Sequence, residues 1–189
     1  MCRNFSARQV PPEVVDRLLD RARRAPSAGN TQGWSFLVLE GWAETSRFWE
    51  ASADPDWLAD PSLPGMLKAH LVVVPLCSAE AYTKRYSEPD KAASGLTSPE
   101  RWPVPFWTVD VAFATMLLLL GVVEEGLGAL FFGLREGAAE RVRAAFGVPD
   151  EWSPIGAVSI GWPAANRGPK GSAIRPKLSL DELVHRGGW

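Results

Sequence analysis

Hydrophobic positions crowd one stretch of this chain more than any other. From Phe106 to Gly133 it reads FWTVDVAFATMLLLLGVVEEGLGALFFG, and between Val109 and Val123 the one strongly polar residue is Asp110. Apolar side chains then fall on every side of the predicted helix, and such a helix belongs inside a membrane or a protein core. A membrane span needs about 20 apolar residues. This run meets Glu124 and Glu125 first, so a core helix is expected. One domain of this size has little material to bury it on all sides, so a second subunit is expected to cover part of it. Gly126 ends the helix in the manner of a C-terminal glycine. GALFF, closed by Gly133, has the length and bulk of a buried strand.

Elsewhere the pattern alternates between helix and strand periods. After Pro11-Pro12, the segment EVVDRLLDRARRA carries Val14, Val15, Leu18, Leu19 and Ala22 at helical spacing with charges opposite, which predicts an amphipathic surface helix. It gives way at Pro26 to PSAGNTQG, a run of small, turn-forming residues. WSFLVLE reads as a strand, AETSRFWEA as a short helix followed by a Pro/Asp-rich loop, and HLVVVPLC (residues 70–77) as a second buried strand. Residues 79–105 read as the longest irregular part of the chain, a candidate lid or binding loop. EGAAERVRAAFGV predicts another amphipathic helix and SPIGAVSIGW a fourth strand. The tail from about 163 to 189 has no core pattern except Leu178, Leu180, Leu183 and Val184, so its order is expected to come from packing on a partner. The order does not repeat as regular βαβ units. An α+β fold with a mixed sheet flanked by helices fits better than a doubly wound sheet, with residues 1–189 as a single domain.

Composition narrows the chemistry. A net charge of −2 without any long basic block argues against a general nucleic-acid surface. Cys2 and Cys77 make no disulfide framework, and with only His70 and His185 beside them no metal-ligand spacing exists. That fits a reducing cytoplasm, as does the lack of an apolar signal segment at the N-terminus. The chain has no G-x-S-x-G elbow, Walker loop or H-E-x-x-H. Glycines 126, 128 and 133 follow a helix instead of opening one, and do not match G-x-G-x-x-G.

What remains is a distributed set. Arg3, Asn4 and Phe5 stand at the front; Pro26, Ser27, Ala28, Gly29, Asn30 and Gln32 form a small polar loop; Arg175 and Lys177 flank Pro176 in the tail. Taken together, and in this order, the RNF opening, RAPSAGNTQGWSFLVL, EEGLGALFFG and IRPKLSLDELVH resemble the FMN-dependent nitroreductase family over nearly the whole chain. The resemblance implies an α+β homodimer with two FMN sites at its interface and tails wrapped around the neighbouring subunit. It implies that Arg3, with Asn4, and the Arg175/Lys177 pair gather the flavin phosphate and ribityl chain. Pro26, Ser27, Ala28, Asn30 and Gln32 would reach the same flavin from the other subunit. Phe131 and Gly133 would lie by the ring, where a backbone N–H can meet N5, and Asp110 would fall near the flavin. Tyr86, Trp102 and Phe106 are expected in the substrate wall.

The chemistry implied is ping-pong hydride transfer from NADH or NADPH through FMN to a nitroaromatic, quinone or enone, with no protein acid or base named. Two rival readings stand beside it: a flavin-consuming relative that makes a cobalamin ligand, and a protein that only sequesters or senses flavin. The family also carries a basic and a small hydroxyl residue just ahead of the place Arg3 holds. Those positions fall at or before Met1, so a start upstream of Met1 is expected.

Overall fold

The computed structural model describes residues 1–165 and 174–189. The strand pattern becomes an antiparallel sheet whose centre is β2 (Leu71–Cys77), in which all seven residues are buried. β1 (Trp34–Glu40) pairs along its whole length with β2, from Trp34 opposite Cys77 to Glu40 opposite Leu71. On the other side of β2 lies β5 (Ala157–Gly161), with Val73 opposite Val158, and β3 (Gly128–Phe132) pairs with β5. The order is therefore β1-β2-β5-β3, with the two-residue β4 (Ser153–Pro154) beside the end of β2. Every described pairing is antiparallel.

Because successive side chains of a strand face opposite ways, β2 feeds two cores. Leu71 and Val73 join Val158 and Ile160 against α1 (Pro12–Ala22) and α5 (Phe106–Glu124). Val72, Val74 and Leu76 join Leu130 and Ala157 against α2 (Gly41–Ser52) and α6 (Ala138–Phe146). Each fully buried Leu, Ile, Val or Phe contributes about 1.5–3 kcal/mol. The helices flank both faces of the sheet as expected.

Helix α5 is buried on one side only. Val111, Ala114, Thr115, Leu118 and Val122 face the sheet and α1, and Gly121 lets α1 approach so closely that a Cβ there would stand 3.1 Å from Leu18. On the opposite side Phe113, Met116, Leu120 and Val123, spaced 3, 4 and 3 apart, are about half to three-quarters exposed. The helix is long and apolar enough to cross a membrane by length and composition, yet 39% of its best window is already packed inside this chain. Its end matches the glycine signal: Gly126 has φ 71° and Leu127 N–H donates to Val122 O.

Three segments depart from the sequence pattern. The segment 79–105 is not irregular throughout: α4 (Ala79–Tyr86) opens it, capped by Ser78, whose Oγ accepts from Ala81 N–H. AEAYTKRY buries only Tyr82, so no apolar stripe announces the helix, although Glu80 early and Lys84 and Arg85 late suit its ends. The fourth predicted strand is split into β4 and β5 at Gly156, whose φ of 150° and contact with the Phe131 ring leave no room for a side chain. The Pro/Asp-rich loop also contains a short helix, α3 (Pro55–Ala59), capped by Asp54. In the tail, residues 166–173 lie outside the described residues. Beyond them α7 (Leu180–Leu183) starts with a capping box between Ser179 and Glu182, and all its residues are exposed.

Candidate functional site

The PSAGNTQ run folds as a tight loop ahead of β1. Gly29, Asn30 and Gln32 all have positive φ, at 61°, 53° and 53°. Glycine adopts that conformation freely and asparagine tolerates it. Glutamine does not, and a non-glycine residue held there costs on the order of 1–3 kcal/mol. Local bonds fix the turn: Gln32 N–H donates to Ser27 Oγ at 2.9 Å, and Thr31 Oγ1 donates to Ala28 O at 2.6 Å. Gln32 Nε2 donates to Asn30 Oδ1 at 3.4 Å.

The loop is also held from behind. Asp110, 2% exposed in the first turns of α5, accepts at Oδ2 from Ala28 N–H (2.8 Å) and from the Tyr82 hydroxyl (2.7 Å). Burial, then the Asp110 hydrogen bond, push the Tyr82 phenol well above its ordinary pKa, so it remains a donor. Arg85, one turn further along α4, donates from Nε to Gly29 O at 3.0 Å. Asp90 and Glu88 grip the rest of its guanidinium. The carboxylate of Asp110, a residue expected near the flavin, is turned to the loop backbone and Tyr82.

Aromatic side chains wall the same loop. Tyr86 packs so close over Gly29 that a Cβ there would meet its ring at 2.8 Å. Trp102 stands edge-on to Tyr86 (4.6 Å between centroids) and 5.9 Å from Phe106, with Tyr82 and Trp107 completing the cluster. The three residues named for the substrate wall are thus neighbours. Trp102 is buried, which leaves Tyr86 and Phe106 as the half-exposed faces.

The other named residues lie elsewhere. Arg3 is exposed on an N-terminal segment pinned by Cys2 N–H to Ala129 O, Phe5 N–H to Gly65 O and Ser6 N–H to Trp162 O. Asn4 Nδ2 donates to Ala165 O. Phe131 is half-buried in β3, and Gly133 follows that strand with nothing within 4 Å of where a Cβ would stand. Beside Gly133 opens a cleft of about 140 Å³ lined by Trp49, Trp57, Met66, Phe132 and Arg135. Trp49 stacks on Phe132 at 5.3 Å. Arg175 and Lys177 are exposed in the tail. The strands β1 and β3 are the two sheet edges, so their two sets stand three strand spacings apart, roughly 14 Å.

The model of the Nitroreductase family matches residues 1–162. This chain belongs to the nitroreductase family. A protein of Methanothermobacter thermautotrophicus, provisionally named NADH dehydrogenase/NAD(P)H nitroreductase, is 26% identical over 183 residues, covering 95% of this chain and 81% of that one. A 5,6-dimethylbenzimidazole synthase of Rhodospirillum rubrum is 28% identical over 174 residues, 85% of this chain and 76% of its own. Among solved structures, a nitroreductase-like protein of Streptococcus mutans superposes with a TM-score of 0.72 at 18% identity, covering 97% of this chain and 92% of that one. A nitroreductase family protein of Clostridium difficile gives 0.70 at 21%, covering 100% and 93%. Those two likenesses concern the nitroreductase fold.

Tyr82, Arg85 and Trp107 were not singled out from sequence. The signal for the first two was Ser78 as a cap, followed by Lys84 and Arg85 late in the helix, which places residues 82, 85 and 86 on one side of it.

Proposed function

We propose that this nitroreductase is a homodimeric FMN-dependent oxidoreductase that takes hydride from NADH or NADPH and passes it, in ping-pong order, to a nitroaromatic, quinone or enone. Family membership and relatives named for NAD(P)H-linked reduction support the oxidoreductase class. The observation that carries the finer reading is the division of the named residues between opposite sheet edges. One protomer presents Ser27, Ala28, Asn30 and Gln32 at the β1 edge, and Arg3, Phe131 and Gly133 on the β3 side. A second copy packed on the exposed Phe113-Met116-Leu120-Val123 stripe would supply what each set lacks.

The residues present suit FMN. Small side chains at Ser27, Ala28 and Gly29, with amides at Asn30 and Gln32, suit a planar ring with hydrogen-bonding edges. The open space at Gly133 lets a ring come close to backbone. Arg3, Arg175 and Lys177 are exposed cations suited to a phosphate, for which charge-assisted bonds contribute about 1.5–3 kcal/mol each. Bound FMN would supply the hydride relay; the protein supplies position, exclusion of water and electrostatics. Tyr86 and Phe106 would wall the acceptor from the loop side, and the aromatic cleft beside Gly133 would admit a planar ring from the other. Among the described residues β1 has no strand on its outer edge, and an open groove between it and α1 is lined by Leu19, Trp34, Phe36 and Val38. The partner's tail, with Leu178, Leu180 and Leu183 exposed, has the apolar residues to pack on such a surface. Cys2 and Cys77 are free and buried, in keeping with a reducing cytoplasm.

The test is an absorbance scan of the purified protein, followed by NADH and NADPH consumption with a quinone or nitroarene. A yellow dimer that turns over is expected. A colourless protein that takes up no added FMN contradicts the reading. The Rhodospirillum rubrum relative motivates a second one, consumption of the flavin itself. Bleaching of flavin without any added acceptor would select it.

A further inference from the structure

We infer that α4 governs how tightly FMN is held without touching it: Tyr82 and Arg85 are positioning residues that clamp the Ser27–Gln32 loop at two points. The inference rests on the proposed contact between that loop and FMN. The loop keeps Gln32 at positive φ, and a backbone in that region persists only where its surroundings impose it. Beside the local bond from Gln32 N–H to Ser27 Oγ, two bonds from other elements hold the loop, at Ala28 and at Gly29. At one point the Tyr82 hydroxyl and Ala28 N–H share a single oxygen, Asp110 Oδ2, so Tyr82 aims the carboxylate that holds the loop. At the other, Arg85 Nε holds Gly29 O. Residues 82 and 85 are one helical turn apart, so both act from the same side of α4.

Neither polar group is needed for packing. The Tyr82 ring already touches Trp102 and Trp107 edge-on, and a phenylalanine would keep both neighbours. The Arg85 guanidinium is itself fixed by Asp90 at 2.7 and 2.8 Å and by Glu88 at 3.0 Å, an arrangement that aims Nε at the loop. A clamped loop has fewer conformations to lose when ligand binds, so removing the clamp should appear in the dissociation rate.

The experiment measures FMN affinity and dissociation rate in the full-length dimer, with amide exchange of residues 27–32 in the flavin-free sample. Tyr82→Phe and Arg85→Met should each weaken FMN about tenfold and Asp110→Leu about a hundredfold, through faster dissociation. Loop exchange should quicken in step. Should Tyr82→Phe and Arg85→Met lower Tm while leaving loop exchange and FMN dissociation unchanged, the residues are structural only and the inference fails. A wild-type protein that takes up no FMN overturns the functional reading. The exchange data from that sample still decide the clamp itself: quicker exchange upholds it, and unchanged exchange overturns it.

Discussion

The two edges of the sheet end in opposite ways. At the β1 edge the chain enters through a loop with three positive-φ residues, held by Asp110 and Arg85 and roofed by Tyr86. At the β3 edge it leaves through Gly133 into open space, and the nearby N-terminal segment is pinned by backbone bonds and by the Asn4 amide while Arg3 extends outward. One edge offers a preformed, strained surface of small groups and amides; the other offers room and positive charge. A bound ring needs the first kind of surface and a phosphate the second. Roughly 14 Å of sheet separates the two edges, and in the proposed dimer the two kinds of surface come from different protomers.

The largest effect should come from keeping the edges of two protomers apart. Met116→Glu with Leu120→Glu places carboxylates on the exposed stripe of α5 and should yield a folded monomer without bound flavin, as sedimentation and an absorbance scan would show. A variant that stays dimeric and yellow would move the interface elsewhere. Next in size is the preformed edge. Gly29→Val puts a β-branched residue at φ 61° with its Cβ 2.8 Å from Tyr86, and should weaken FMN at least about a hundredfold. Sound folding should persist, which circular dichroism can check. The charged edge should respond more mildly and selectively. Arg3→Ala, or Arg175→Ala with Lys177→Ala, should weaken FMN about ten- to a hundredfold for each cation removed and leave riboflavin binding unchanged. An equal weakening for riboflavin would assign these cations a role other than phosphate recognition.

Two smaller effects separate the edges further. Trp57→Ala, at the mouth of the cleft beside Gly133, should raise KM for a planar acceptor severalfold and leave FMN affinity alone. The least effect concerns acid. The hydrogen bond from Arg85 holds the Asp90 carboxyl below its ordinary range, so the ionised pair supports the folded loop above the unfolded pKa of about 3.9. That support is lost as pH falls through the lower folded value. Loop exchange should therefore quicken only below about pH 4, and Asp90→Asn should abolish the step.

How much of this was legible in the sequence varies with the physics involved. α1 and α6 declared themselves because burial follows the helical period that Val15, Leu18 and Val142 obey, and β2 because residues 71–77 form an unbroken, almost wholly apolar run buried on both faces. α5 declared its helix but not its open side, since an all-round apolar sequence carries no period to separate the face on the sheet from the face left for a partner. α4 was missed because one buried tyrosine makes no stripe. Of the site, the PSAGN loop was legible as small, turn-forming residues. Its support was not: Asp110 lies 82 residues from Ala28, and Arg85 lies 56 from Gly29, separations that only folding closes.

The shared site can be tested by mixing two variants, each defective at one edge. Gly29→Val damages the β1 edge and Gly133→Val fills the open space after β3, and each homodimer should be colourless. After the two are unfolded and refolded together, a shared site predicts that about half the dimers are mixed, each with one wild-type site, so that about a quarter of wild-type FMN binding returns. If the refolded mixture stays as colourless as its parents while a refolded wild-type control regains its flavin, each site lies within a single protomer and the shared site is contradicted.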